Sequence, residues 1–223
     1  MYVRYRIASV SPGENACPSP RSELDSHANM VVLGKHCCVF DNINGKSCDV
    51  EPFDPSIGTA RKVPIVDGAI AYDCPFTHVT YLLIVRNALH IPTMEHNLIP
   101  PFILWEAGIQ CNDTAKIHLD DPSEEDHALI FPDINLRIPL QLWGVFSFFH
   151  TRAPTSDELE SCDRILITPD AIDWDPYSEH YANNEESMLD WEGRMIERKY
   201  RKKQIFEISF LSITVGSFKG EVD

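Results

Sequence analysis

The chain has 223 residues and a formal net charge of −15, with 34 acidic residues against 19 lysines and arginines. Such a dense negative charge repels phosphate backbones and argues against direct binding of nucleic acid. Hydrophobic residues make up 43% of the sequence and prolines number 16, a mixture that favours a packed core of short strands and turns over a long helical bundle.

The two ends of the chain carry weak signals. Residues 1–20 predict a weakly ordered leader, because prolines and a glycine are frequent after position 11. This segment also lacks the long apolar stretch of a secretory signal. Near the other end, the apolar run at 205–218 is interrupted by Glu207 and is too short to cross a bilayer. We therefore expect no membrane association.

Residues 21–152 predict one domain of short strands. Apolar and β-branched runs at 63–72 and 80–89 flank a turn-rich stretch and predict a long hairpin. Residues 101–107 predict a short helix, with proline in its first turn and glycine just after its end. Further strands are expected at 30–33, 115–119, 128–131, 136–142 and 145–150. Many short strands with a single helix indicate a barrel or a sandwich.

Residues 153–223 predict a poorly ordered acidic linker. Between positions 157 and 192 the sequence has twelve acidic residues and a single basic one, Arg164. High net charge with few apolar residues opposes the formation of a core. A helix is nevertheless expected near 186–203, where apolar residues share one face and basic residues gather at the C-terminal end.

The seven cysteines are irregularly spaced and include no C-x-x-C pair; they are Cys17, Cys37, Cys38, Cys48, Cys74, Cys111 and Cys162. This pattern indicates reduced thiols in an intracellular, cytoplasmic protein. An alternative is a zinc-binding module formed by His36, Cys37, Cys38 and Cys48. Because adjacent cysteines of a strand point to opposite faces, we expect no metal and no other cofactor.

One segment carries candidate chemistry. Asp25 comes after the apolar Leu24 and is followed by Ser26. After Ala28 an apolar run at 30–33 leads to Gly34. An aspartate–serine pair at the end of a strand is also common turn chemistry. The segment nevertheless resembles the active-site loop of aspartic proteases, in which Asp-Thr-Gly or Asp-Ser-Gly precedes an alanine and a hydrophobic strand.

A second segment strengthens this resemblance. Asn97-Leu98-Ile99 leads into the predicted short helix, which ends at Gly108. This order is similar to the second loop of retroviral-type proteases, and it is closer still to the proteases of copia-type retrotransposons. The preceding residues 88–92 fit that class, and the predicted hairpin lies between the two segments. The resemblance covers about residues 22–150.

The resemblance implies an all-β fold, namely a retropepsin-like closed β-barrel with a flap hairpin and one short helix. It also implies a homodimer, since each chain would bring the single catalytic aspartate Asp25 to a shared site. Ser26, His27, Ala28 and Asn29 would complete the active-site loop, with Ser26 bonding across the dimer axis. Beneath this loop, an apolar floor would be formed by Leu98, Ile99 and Pro100. Over the cleft, the flap would present Ile70, Tyr72 and Phe76.

Three departures from the family's pattern involve four positions. His27 stands where the family has glycine, and Pro100 stands where it has glycine or serine. Asn29 and Pro101 replace an aspartate–arginine pair of the retroviral enzymes, so both partners are missing together and no lone buried charge remains. An imidazole at position 27 would either obstruct the cleft or contribute a contact. The alternative is a partly buried, hydrogen-bonded histidine beside the loop.

The sequence thus predicts an aspartic endopeptidase of a retrotransposon polyprotein that cleaves extended peptides. The alternative is a catalytically inactive, degenerate transposon fragment that retains the fold as a dimerising or peptide-binding module. His27 and the acidic tail favour that alternative.

Overall fold

The computed structural model describes residues 20–41, 45–50, 58–170 and 191–194. The chain divides into two compact units, Met1–Pro176 and Tyr177–Asp223. The predicted leader lies outside the described residues except for Pro20. Of the helix expected near 186–203, only 191–194 are described, and they form a turn and a bend.

Thirteen strands and two short α-helices are described in the first unit. The strands are β1 Arg21–Leu24, β2 Val32–Leu33, β3 Cys38–Asp41, β4 Ser47–Val50, β5 Ala60–Asp73, β6 Thr80–His90, β7 Asn97–Ile99, β8 Gln110–Asn112, β9 Ala128–Phe131, β10 Leu136–Pro139, β11 Gln141–Trp143, β12 Phe146–His150 and β13 Asp163–Leu166. The helices are α1 Pro101–Glu106 and α2 Ser156–Ser161. None of the helices in the described ranges combines the length and the apolar character that spanning a bilayer requires.

The strands form two sheets. The larger sheet has ten strands in the order β11-β12-β1-β7-β2-β6-β5-β3, with β13 added beside β6 and β4 beside β5, and the smaller sheet has the order β10-β9-β8. Strands β11 and β3 are the two edges of this sheet: β11 pairs only with β12, and β3 pairs only with β5. Among the described residues no pairing joins the two edges, so the sheet is open. The prediction of a mostly β fold is confirmed, but that of a closed barrel is wrong.

The long hairpin is confirmed as β5 and β6, whose antiparallel register runs from Ile65 opposite Leu89 to Asp73 opposite Thr80. The short helix is confirmed as α1, which begins with Pro101 at its first position. The strand expected at 115–119 is wrong. Lys116–His118 form a 3-10 helix there, and the apolar Ile117 is 76% exposed, so this stretch has no apolar face for a sheet to bury.

The main hydrophobic core lies between the sheets and α1. Its fully buried side chains include Ile70, Leu83, Ile99, Leu104 and Phe149. Successive strand residues alternate between two faces, which places Ile99 in this core. The preceding residue, Leu98, faces a second, smaller hydrophobic cluster.

Residues 153–170 were predicted as the start of the acidic linker, yet they contain α2 and β13. The helix begins with a capping box in which the Thr155 hydroxyl accepts from the backbone N–H of Glu158, whose carboxylate accepts from the backbone N–H of Thr155. β13 then pairs in parallel with β6, with Asp163 opposite Tyr81. The ordered unit therefore extends past residue 152, and one predicted short helix becomes two.

A charged network ties this C-terminal segment to the hairpin. Arg152 donates through Nε and Nη2 to the Asp73 carboxylate, at 2.8 Å in both cases. Its guanidinium also donates to Glu158, at 2.8 Å and 2.6 Å. Two bidentate pairs on one guanidinium provide strong charge-assisted hydrogen bonds.

Acidification is expected to weaken this network. Hydrogen bonds from Arg152 lower the pKa of Glu158 to about 2 and lower the pKa of Asp73 from its ordinary 3.8. A carboxylate with a lowered folded-state pKa adds stability above its unfolded pKa, and this stability is lost as the pH falls through the folded value. We expect Arg152→Gln to lower the free energy of unfolding by roughly 1–2 kcal/mol at neutral pH, a figure reduced for partial exposure.

Urea unfolding of both proteins at several pH values measures this effect. The difference between them should shrink as the pH falls from the ordinary Glu158 pKa of 4.5 towards about 2, since both proteins then lack the ionised partners. A difference that stays constant over this range would contradict the assignment.

Candidate active site

The two sequence segments singled out above lie side by side in the larger sheet. β1 and β7 pair in parallel, with Glu23 opposite Leu98 and Leu24 opposite Ile99. The backbone N–H of Asp25 continues this ladder and donates to the carbonyl of Ile99 at 3.2 Å. The aspartate therefore starts from a fixed position at the end of β1, directly beside the predicted floor.

The loop after β1 folds tightly around the Asp25 carboxylate. Oδ1 of Asp25 accepts from the backbone N–H of His27 at 2.9 Å, and the Asp25 carbonyl accepts from the N–H of Ala28 at 3.3 Å. The Asp25 side chain remains 32% exposed. One oxygen is thus anchored to the backbone while the carboxylate stays accessible to a reactant, which general acid–base chemistry requires.

The other loop residues face solvent to different degrees. Ser26 and Asn29 are exposed and Ala28 is half-buried. The His27 side chain is 89% exposed, with Nδ1 at 3.8 Å from Oδ1 of Asp25. The alternative of a partly buried histidine is therefore wrong, and the imidazole is exposed beside the Asp25 carboxylate.

The three predicted floor residues have different environments. Ile99 is fully buried in the main core, and Pro100 is buried at the point where the chain turns into α1. Leu98 is half-buried and packs against the small apolar cluster, whose buried members are Met30, Val32, Val63 and Leu89. Leu98 is therefore the floor residue on the side of the sheet away from the main core.

A buried amide locks the strands around the aspartate. Asn97 is fully buried; its Oδ1 accepts from the backbone N–H of Gly34 at 2.9 Å and its Nδ2 donates to Oγ of Ser22 at 3.1 Å. The Ser22 hydroxyl also shares a hydrogen bond with Thr151 at 2.8 Å. One side chain thereby joins β1, β7, the end of β2 and the end of β12, an arrangement that the sequence alone did not single out.

Gly34 is required by the same close packing. A Cβ atom at this position would lie 2.6 Å from the carbonyl oxygen of His96 and 2.7 Å from that of Met94. Backbone atoms cannot yield as a flexible side chain can, so only glycine fits here. The glycine that closes the apolar run in the sequence thus lets the chain before β7 approach the end of β2.

Three ionisable residues are gathered behind the aspartate. Nε of Arg21 donates to Oε1 of Glu23 at 2.7 Å, and Nε2 of His96 lies 3.3 Å from Oε2 of Glu23. Burial lowers the pKa of His96, and the charge of Glu23 opposes that shift. The Glu23 carboxylate is thus paired inside the fold, as a buried charge requires. The sequence alone did not indicate this triad, because His96 lies far along the chain from Arg21 and Glu23.

The three residues predicted to form a flap belong to the β5–β6 hairpin and its turn. Ile70 and Tyr72 are buried in the main core, and Phe76 lies in the turn of the β5–β6 hairpin, where the Arg137 guanidinium is 5.0 Å from its ring. Ile70 and Tyr72 are therefore buried and not presented over a cleft, whereas Phe76 is exposed at the hairpin turn. The long apolar run predicts one hairpin over a cleft, whereas most of the buried residues of β5 pack in the core.

A different pair of strands borders the floor. β4 pairs with the N-terminal part of β5, with Ser47 opposite Pro64 and Cys48 opposite Val63. Half-buried Cys48 and Val50 pack against the same cluster as Leu98. We call β4 with residues 60–65 the β4–β5 ribbon; residues 51–57 of the connection between its strands lie outside the described residues. The period-two spacing of Val63 and Ile65 was the available signal for it.

The described cysteines are free thiols, and no group of three or more His, Cys, Asp or Glu side chains in the described ranges is arranged to hold a metal.

Comparisons of the chain with protein-family models, with curated proteins and with solved structures found no match in any of the three.

Proposed function

We propose that the chain is a retropepsin-like aspartic endopeptidase of a copia-type retrotransposon polyprotein, acting as a homodimer on extended peptides. The observation that carries this proposal is the position of Asp25, bonded through its N–H to Ile99 beside β7. Rigid strands hold the aspartate in place while its carboxylate remains accessible. This combination of fixed backbone and reachable acid suits a catalytic group.

The chemistry needs two chains because each contributes one such aspartate. Two facing Asp25 carboxylates cannot both ionise at short separation, so they share one proton. The ionised member takes a proton from a bound water, which attacks the peptide carbonyl, while the protonated member donates to the carbonyl oxygen. Ser26, exposed next to the aspartate, would bond across the two-fold axis and align the two loops.

The surroundings of Leu98 favour an extended peptide with apolar side chains. Leu98 packs with Met30 and Val32 on one side, and the β4–β5 ribbon brings Val50 to the same cluster. A peptide lying as a strand between the loop and the ribbon would place alternate side chains on these residues. Leucine-, methionine- or phenylalanine-rich sites are therefore the expected substrates, because they bury apolar surface on binding.

The proposal is tested by incubating the full chain with an unfolded protein substrate at about pH 4 to 7 and identifying the cleaved bonds by mass spectrometry. A dimeric enzyme loses specific activity on dilution below its dissociation constant, whereas a monomeric one does not. Cleavage that falls on dilution and is inhibited by pepstatin would support the proposal. Cleavage that is insensitive to both would refute it.

One observation favours the alternative of an inactive, dimerising or peptide-binding module. The imidazole of His27 is 89% exposed, at the position where the retropepsin-like proteases that the sequence resembles have glycine. A folded, dimeric protein that binds peptides without cleaving them would establish this alternative.

Replacing His27 by glycine separates the two functions. In an enzyme hindered by the imidazole, His27→Gly should raise kcat/KM about tenfold, because the peptide backbone can approach the loop more closely. His27→Ala is the matched control, since it removes the ring but keeps Cβ, and it should gain less. Peptide hydrolysis by the three proteins is the measurement; an unchanged or lower kcat/KM in His27→Gly would show that the imidazole does not obstruct the cleft.

A further inference from the structure

A second group of reactive side chains lies at the junction of the two sheets, where a serine meets a histidine. Ser147 belongs to β12, and His127 is the residue just before β9. Oγ of Ser147 and Nε2 of His127 are joined by a hydrogen bond of 2.9 Å. Since β12 and β9 belong to different sheets, this contact bridges them. Neither residue takes part in the proposed peptide hydrolysis.

The serine lies on the opposite face of the larger sheet from the predicted floor. Glu23 stands opposite Phe148 of β12 on one side and opposite Leu98 of β7 on the other. Successive residues of a strand point to opposite faces, so Ser147 shares its face with Phe149, a member of the main core. The serine is half-buried. A reaction at this serine would therefore be separate from peptide hydrolysis on the other face.

The fold holds the histidine in a fixed position. His127 is only 6% exposed, and its backbone φ of 52° lies in the left-handed region that residues with a Cβ atom rarely adopt. Its carbonyl accepts from the N–H of Leu140 at 2.8 Å. A strained backbone of this kind persists only where the surrounding structure holds it. The imidazole therefore keeps its orientation towards Ser147.

The surroundings of His127 favour a neutral imidazole. Burial lowers the pKa of His127 from its ordinary 6.5, Lys116 lowers it further, and Asp113 opposes these two effects with a smaller one. A neutral imidazole has one ring nitrogen that donates and one that accepts. With the ring proton on Nδ1, Nε2 accepts from the Ser147 hydroxyl. In this arrangement a histidine can act as general base towards a serine nucleophile.

The surface beside the serine is apolar. Leu142 stands directly opposite Ser147 in the β11–β12 pairing, so the two side chains share one face, and Leu142 is 40% exposed. Val145, in the turn just before β12, is 86% exposed. A short hydrocarbon chain lying against these residues would be removed from water, which favours binding. The substrates that fit this surface are esters of small apolar acids.

We propose that Ser147 and His127 form a nucleophile–base pair that hydrolyses small apolar esters. His127 takes the hydroxyl proton while Oγ of Ser147 attacks the ester carbonyl carbon, so that a new C–O bond forms. The bond to the alcohol oxygen then breaks, and the imidazolium gives its proton to the departing alcohol. Water, deprotonated by His127 in the same way, attacks the acyl-serine. This step releases the carboxylic acid and restores the serine.

Labelling of the native protein tests the nucleophile. The full chain is incubated with phenylmethylsulfonyl fluoride, and the modified serines are located by mass spectrometry. Ser147 should react at least about tenfold faster than Ser161, because a general base accelerates attack by about 100-fold or more. Ser161 is exposed, but its hydroxyl donates to the backbone carbonyl of Asp157 at 2.7 Å. Labelling of Ser147 no faster than that of Ser161 would overturn the proposal.

The pH dependence of this labelling identifies the base. The rate at Ser147 should rise as His127 loses its proton and become constant at higher pH, with a midpoint below the ordinary 6.5 because burial lowers this pKa. Attack by an unassisted serine would instead follow the hydroxide concentration. A rate that still rises about tenfold per pH unit up to about pH 9 would refute the role of His127 and with it the proposal.

Two serine variants extend the test to turnover of an ester. Ser147→Ala should lower the hydrolysis of p-nitrophenyl butyrate at least about tenfold, since the nucleophile is lost. Ser161→Ala, which also removes a single hydroxyl, should leave the rate unchanged. Thermal unfolding of both variants shows whether the fold is kept. Hydrolysis that is undiminished in Ser147→Ala would contradict the proposal.

Discussion

Replacing Asp25 by asparagine is expected to lower peptide hydrolysis by about 1,000-fold or more, because general acid–base catalysis contributes a factor of this size and both halves of the site are lost together. The amide keeps the shape of the side chain and can still accept from the N–H of His27, a bond of 2.9 Å in the native protein. The fold and the melting temperature should therefore be preserved. The measurement is kcat/KM alongside thermal unfolding.

Asp133→Asn is the matched control, since Asp133 is exposed in a short 3-10 helix away from the sheet of Asp25. It should retain full activity. Mixing native and Asp25→Asn chains adds a sharper test of the shared site: at equal amounts only about one quarter of random dimers contain two native chains. Activity near one half of the native value would instead indicate that each chain works alone, and the homodimer would have to be abandoned.

Asn97→Ala is expected to lower the free energy of unfolding by about 2–4 kcal/mol, which corresponds to a fall in melting temperature of roughly 5–15 °C. The substitution leaves the Gly34 N–H without its acceptor, removes the bond to Ser22 and opens a void in a fully buried position. Since β7 supports the Asp25 backbone, peptide hydrolysis should fall as well.

Asn112→Ala provides the comparison for that effect. Asn112 is half-buried and donates one hydrogen bond, to the carbonyl of Glu125 at 2.9 Å. Its loss should cost no more than about 1 kcal/mol, the usual net value of one such bond. If urea unfolding gives the same small change for Asn97→Ala, then the buried amide does not hold the four chain segments together.

The sequence predicted well where local chemistry decides the structure. Pro101 and Gly108 bound α1, and the apolar run at 128–131 predicted β9 with its observed bounds. It also predicted that the segments of Asp25 and Leu98-Ile99 lie side by side, because the two short motifs resemble a known order. The register between β1 and β7 shows that the two segments are adjacent.

The predictions failed where residues distant in the sequence determine the structure. Nothing local distinguishes the core part of β5 from the part that pairs with β4, so Ile70 and Tyr72 were assigned to a flap. The composition of 153–170 predicted a linker because net charge outweighs apolar content there. Yet Thr155 and Glu158 have the sequence pattern of a capping box. Arg152, just before them, donates to the Asp73 carboxylate.

The pairing of β1 has a consequence for biosynthesis. Its parallel partner supplies Asn97, 75 residues after Ser22, and its antiparallel side ends at Thr151, 129 residues after Ser22. Contacts at such separation form late, since loop closure must precede them. During synthesis, the chain up to residue 151 therefore has to emerge from the ribosome before β1, the strand that leads into Asp25, can pair with both β7 and β12. Nascent or prematurely ended chains would hold the acidic residue but no framework to present it.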